Sequence, residues 1–158
     1  MRHIGIALLC GALLLPAFAS AAAPAKPANV QIDRIRVHFL YETTGALSED
    51  VMPPSQFSIW NTIIGEGSAR EPASDVMVAV VLKSAQDEVN LDKPLLVTVR
   101  GDKGKVLAKR SFEGLFLKHG KVVRFVMVPE AACAGGITID ATLGTQKKTA
   151  KIDMACGE

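Results

Sequence analysis

This 158-residue chain carries three cysteines, one tryptophan and one tyrosine, and aromatic residues make up 5% of it. Cys10 falls inside the N-terminal apolar run, so Cys133 and Cys156 are the only cysteines beyond it. No C-x-x-C pair is present, which removes the usual dithiol redox motif. Histidine is equally scarce: after His3 there are only His38, on the polar side of an alternating stretch, and His119, in a Lys-His-Gly-Lys turn. Nucleophilic catalysis needs a base held beside a Ser, Thr or Cys by a third group. Neither histidine has that setting, and the sequence contains no G-x-S-x-G elbow, no H-E-x-x-H, no zinc-type Cys or His spacing and no calcium loop. The chain is therefore expected to be no enzyme, with no cofactor and no metal. It also lacks interleaved aromatics on a basic stripe, which excludes nucleic acid from the expected partners.

What is there begins with an address. Arg2 and His3 precede the apolar run Ile4 to Leu15, followed by Pro16 and the small residues Ala17 to Ala22. That is the charged region, apolar region and A-x-A-like cleavage site of a secretory signal peptide, read here as residues 1–21. The run is short for a bilayer span, which takes about 20 residues, and no comparable run follows. A periplasmic or secreted protein without a membrane span is expected. Residues 22–29, with Pro24 and Pro27, form a flexible lead-in, and residues 30–158 are long enough for one domain with a real core. Loss of Arg2 leaves that domain nearly neutral, since the whole chain has 18 Lys plus Arg against 16 Asp plus Glu.

Alternation of apolar and polar residues dominates the domain. Val30, Ile32, Ile35, Val37, Phe39 and Tyr41 alternate with a one-residue slip at Asp33-Arg34, which a β-bulge would absorb. Leu47 to Val51 is a candidate short strand, and Phe57 to Ile64 has β-favouring composition. Val76 to Leu82 is apolar on both faces, so it is expected to be a central strand. Leu95 to Arg100 and Lys105 to Phe112 form a hairpin across Gly101-Asp102-Lys103-Gly104, and Val122 to Val128 is a strand ended by Pro129. About eight strands, with turn signals every 8–12 residues and no amphipathic helix, predict an all-β fold. The pattern resembles immunoglobulin-like or fibronectin-like domains, a single antiparallel β-sandwich. The Cys…Trp…Cys order of true immunoglobulin domains does not hold, because Trp60 precedes both cysteines.

The C-terminal stretch specifies its own register. Ile137 to Leu143 alternates strictly, and Gly144-Thr145 suits a two-residue type II′ turn. Leu143 opposite Gln146 then sets Ile139 opposite Ala150, Ile137 opposite Ile152, and Cys133 opposite Cys156. A Cys133–Cys156 disulfide is predicted at the open end of this hairpin.

Two features are candidates for recognition. Gly65, Glu66, Gly67 and Ser68 form a permissive loop of the kind that carries binding sites on sandwiches. Charge is also segregated: acids prevail from Asp33 to Asp75, whereas Arg100, Lys103, Lys105, Lys109, Arg110, Lys118, Lys121 and Arg124 suggest a later basic face that attracts anionic polymer or an acidic protein. The expected role is an accessory or protein-interaction module of the bacterial envelope; the alternative is a domain binding carbohydrate or anionic polymer. The expected partner is accordingly an envelope protein or an anionic glycan.

Overall fold

The computed structural model describes residues 29–53 and 56–154. The leader over 1–21, nearly all of the lead-in over 22–29, and Cys156 lie outside them. Among the described residues there are nine antiparallel strands: β1 (Val30–Leu40), β2 (Asp75–Ser84), β3 (Val89–Leu91), β4 (Leu95–Arg100), β5 (Val106–Phe112), β6 (Leu115–Leu117), β7 (Lys121–Val128), β8 (Gly135–Leu143) and β9 (Gln146–Met154). They form a three-stranded sheet in the order β1-β2-β7, a four-stranded sheet in the order β5-β4-β8-β9, and a small β3-β6 pair. Pairing of β2 with β7 in one sheet, and of β4 with β8 and β8 with β9 in the other, is the immunoglobulin arrangement of an A-B-E layer against a C′-C-F-G layer.

The core lies between the two larger sheets. Val37, Phe39, Val76, Val78 and Val80 come from one side and Leu95, Val97, Val99, Ile137 and Ile139 from the other, all almost wholly buried. The register of β1 against β2 shifts between Ile32 and Arg34, and this bulge keeps Val30 and Ile32 on the same buried face as Ile35, Val37 and Phe39. In β2, Ala79 and Val81 have no exposure although they lie on the face turned away from the core. In the cross-strand rows Ala79 lies between Arg36 and Phe125, and Val81 between Arg34 and Val123.

The terminal hairpin has the predicted register throughout, from Leu143 opposite Gln146 to Gly135 opposite Met154. Gly144 sits at φ +59° while Thr145 keeps a negative φ, which is what a type II′ turn requires. Two other stretches depart from expectation. Leu47 contributes only an isolated bridge to Leu40, and Phe57 to Ile64 forms a loop with a 3₁₀ turn at Thr62–Ile64 instead of a strand. Asn61 and Gly65 take left-handed conformations at either end of that turn, which ends any extended run. Phe57 turns inward to stack on Phe39, ring centroids 5.8 Å apart.

Each outer strand next to the core needs its free edge satisfied. For β1, the Val37 N–H donates to Asp50 Oδ1 at 3.1 Å and the Phe39 N–H to Ser48 Oγ at 2.9 Å. Nearer its start, Gln146 Nε2 donates to the Val30 carbonyl at 2.7 Å and the Ile32 N–H donates to Gln146 Oε1 at 3.3 Å, while the Lys148 ammonium donates to the Asp33 carbonyl. Side chains of β9 thus stand in for a neighbouring strand.

Candidate functional site

The loop over 57–69 is built by short-range hydrogen bonds. The Ser68 N–H donates to the Ser58 carbonyl at 3.0 Å, and the Ser58 N–H donates to Ser68 Oγ at 2.9 Å. Asn61 Nδ2 donates to Glu66 Oε2 at 2.8 Å, and the Glu66 N–H returns a bond to the Asn61 carbonyl at 3.3 Å. The Thr62 carbonyl accepts from both Gly65 and Ala73, which ties the tip to the segment leading into β2. Gly67 is required here: its φ is +67°, and a β-carbon would lie 2.5 Å from the Ser58 oxygen. The predicted loop residues Gly65, Glu66, Gly67 and Ser68 are therefore the brace of this loop.

What the brace presents is apolar. Trp60 is 51% exposed, Ile64 58% and Ile63 36%. These three lie within five consecutive residues at one end of the sandwich. Leaving a tryptophan half uncovered forgoes about 2–3 kcal/mol of burial, taking about 100 Å² of lost contact at 25 cal/mol per Å². A rigid tip that holds an indole and two isoleucines in water is suited to covering by a partner. Sequence reasoning placed weight on the glycines and missed Ile63 and Ile64. The signal lay in the imperfect alternation of Phe57 to Ile64, since a segment with no consistent inner face leaves apolar residues outside.

Four acids of the Asp33 to Asp75 stretch act as backbone and loop ties. Glu42 accepts from Ser74, Glu71 from Thr44, Asp75 from the Glu130 N–H, and Asp50 from the Val37 and Met52 N–H groups. His38 Nδ1 donates to the Ser48 carbonyl at 2.8 Å, a structural contact.

The eight candidate basic residues do not form one face. Strand alternation sends Lys109 to the outer face of the four-stranded sheet, opposite Thr98, and Arg110 to the other face, opposite Val97, where its guanidinium lies 5.1 Å from the centre of the Phe112 ring. Lys103 and Lys105 flank the β4–β5 turn at the end that carries the 57–69 loop. Lys118 and Lys121 bridge each other at the opposite end. Arg124 occupies a core-side position on β7, opposite Val80. Arg100 lies on the outer face of the four-stranded sheet, where β9 adds Lys147 and Lys151, which sequence reasoning left out. Cross-strand rows there combine these cations with Thr98, Thr138, Thr142 and Thr149.

Asp140 sits at the centre of that face, only 7% exposed. It accepts from Thr149 Oγ1 at 2.6 Å and pairs with Arg100 and, at 3.1 Å, with Lys147. The Thr149 hydroxyl bond, opposed by burial and reinforced by Arg100 and Lys147, holds its carboxyl at about 2, below the ordinary 3.8. Beside it, Arg100, Lys103, Gly136, Thr138 and Lys151 line an open cleft of about 340 Å³. Asp102 Oδ1 accepts from the Gly136 N–H at 3.0 Å at its rim. Among the described residues, no group of three histidine, cysteine or carboxylate side chains converges, and no helix is long and apolar enough to cross a membrane.

No known protein family matches the chain. No curated protein matches it in sequence. In structure it is similar to the C-terminal domain of wzt, with a TM-score of 0.39 and 10% identity over 79% of this chain and 68% of that one.

Proposed function

We propose that this protein is an exported, non-catalytic accessory module of the bacterial envelope that docks a protein partner through the 57–69 loop. The observation that carries the reading is the exposure of Trp60, Ile63 and Ile64 on a loop whose own hydrogen bonds hold it in place. Export rests on the signal-like N-terminus, and the compartment it implies, periplasm or medium, permits the Cys133–Cys156 disulfide. Hairpin register supports that pairing, because it runs in step to Gly135 and Met154, two residues short of the two cysteines. The test is capture from envelope extract by the mature domain and by Trp60→Ala/Ile64→Ser. Recovery of one discrete protein by the first and not by the second, at low and high salt alike, is the expected result. Equal recovery by both abandons the loop.

The second reading is binding of an anionic glycan. Lys109, Arg100, Lys147 and Lys151 share an outer sheet face with hydroxyl-bearing threonines, and Trp60 is free to stack on a sugar ring. Trp60 is the only tryptophan, so its fluorescence reports the loop directly. Emission that responds to added polysaccharide, together with binding lost at high salt, favours this reading over the first.

A further inference from the structure

The three-stranded sheet differs from its partner sheet in what it offers to solvent. Its outer face carries the cross-strand rows Arg34–Val81–Val123, Arg36–Ala79–Phe125 and His38–Met77–Met127. Phe125 is 44% exposed and Met127 36%. An apolar stripe therefore runs along β7, the last strand of the sheet.

Among the described residues, the edge of β7 has no hydrogen-bonded strand beyond the turn from β6, with β5 of the facing sheet passing near it. Strand β1 is covered by Ser48, Asp50 and Gln146, and β5 is blunted by Lys109, Arg110 and a register shift beside Arg100. Among the described residues, no strand pairs with β7 on the side away from β2. Lys121 turns its N–H and C=O to that side, where both bond to Lys118. Because such groups alternate along an antiparallel strand, Val123, Phe125 and Met127 point theirs the same way. The Val123 carbonyl accepts from its neighbour Arg124 at 3.1 Å, which confirms the direction. Charge here has one sign: β7 reads Lys-Val-Val-Arg-Phe-Val-Met-Val, two cations and no acid. Arg36, in the row of Phe125, has a buried Nε that makes no hydrogen bond.

We infer that β7 takes an extended segment of a partner protein as the next strand of this sheet, a segment with apolar residues opposite Val123, Phe125 and Met127 and a carboxylate opposite Arg124. Backbone hydrogen bonds would supply the pairing, and the alternate side chains the selectivity. A second copy of this chain fits less well, since it brings the same two cations to the same edge. This edge is separate from the 57–69 loop, and the inference does not rest on the proposed function.

The test uses the mature protein labelled with ¹⁵N and two peptides of about eight residues, one alternating Val with Glu and the other Val with Lys. The Val/Glu peptide is expected to shift the Val123, Phe125 and Met127 amides and slow their exchange, with the Trp60 indole signal unmoved. Its affinity should fall at least tenfold with Arg124→Glu, and with Phe125→Pro, which removes an outward N–H that the β2 ladder does not use. The amide spectrum of each variant away from β7 reports whether it is folded. Equal binding of both peptides, no shift with either, or protection of these amides in free protein that runs as a dimer would each overturn the inference.

Discussion

Ser58 and Ser68 exchange a pair of hydrogen bonds, backbone to carbonyl in one direction and backbone to hydroxyl in the other, at 3.0 and 2.9 Å. This two-way contact clamps together two limbs of a segment that forms no strand. It joins the limbs of the loop between Phe57, fixed in the core, and Ala69, also buried. Everything between them is anchored at both ends, so exposure of Trp60, Ile63 and Ile64 reflects a held conformation.

Gly67→Ala therefore acts on the loop as a whole. The added methyl meets the Ser58 oxygen and the residue is strained at positive φ, a combined cost of about 1–3 kcal/mol. The expected outcome is a lower thermal midpoint with new proteolytic cuts confined to 57–69. Unchanged melting and unchanged cleavage would mean the limbs part without effort.

Thr62 supports the same loop from beneath. It is 1% exposed and its hydroxyl makes no hydrogen bond, a desolvation cost of about 1–3 kcal/mol with nothing gained in return. Thr62→Val keeps the shape and removes the hydroxyl. Stability should rise by about 1 kcal/mol, read as a higher urea midpoint with an unchanged slope; a loss of that size would show that the hydroxyl has a partner in solution.

Much of this arrangement was legible in the residues themselves. The slip at Asp33-Arg34, the doubly covered β2 and the β8–β9 register all follow from period-two alternation and turn chemistry, which are local. Phe57 to Ile64 was not legible, because β-branched composition specifies a strand only where cross-strand neighbours exist, and none reaches Ile63 or Ile64. The basic face failed for a different reason. Counting charges along the chain joins Lys109 to Arg110, which the pleat separates, and omits Lys147 and Lys151, which pairing brings to the Arg100 side of the sheet.

The proposed Cys133–Cys156 bridge closes a loop of about 22 residues, for which the chain-entropy model gives roughly 3 kcal/mol. Strands β8 and β9 already pair from Leu143 to Gly135, so the ladder has brought the ends together before the bridge forms. Reduction should lower stability by less than that figure and leave the fold intact. Urea unfolding with and without reductant measures the difference, and complete unfolding in mild reductant would show the hairpin to depend on its staple.

Acid should act on the fold partly through Asp140. Its carboxyl titrates at about 2 in the folded chain against 3.8 ordinarily, so the unfolded state binds its proton first as pH falls. The resulting stability, on the order of 2 kcal/mol, is complete above the ordinary value and is lost as pH drops from about 4 through about 2. Asp140→Asn retains a bond to the Thr149 hydroxyl but gives up the charge that Arg100 and Lys147 share. At pH 7 the variant should be less stable than the parent by about 1–2 kcal/mol. The stability curves of the two proteins should converge as pH approaches 2. A gap that stays constant from pH 7 to pH 2 would mean that the loss comes from packing at position 140, with the ion pairs contributing nothing.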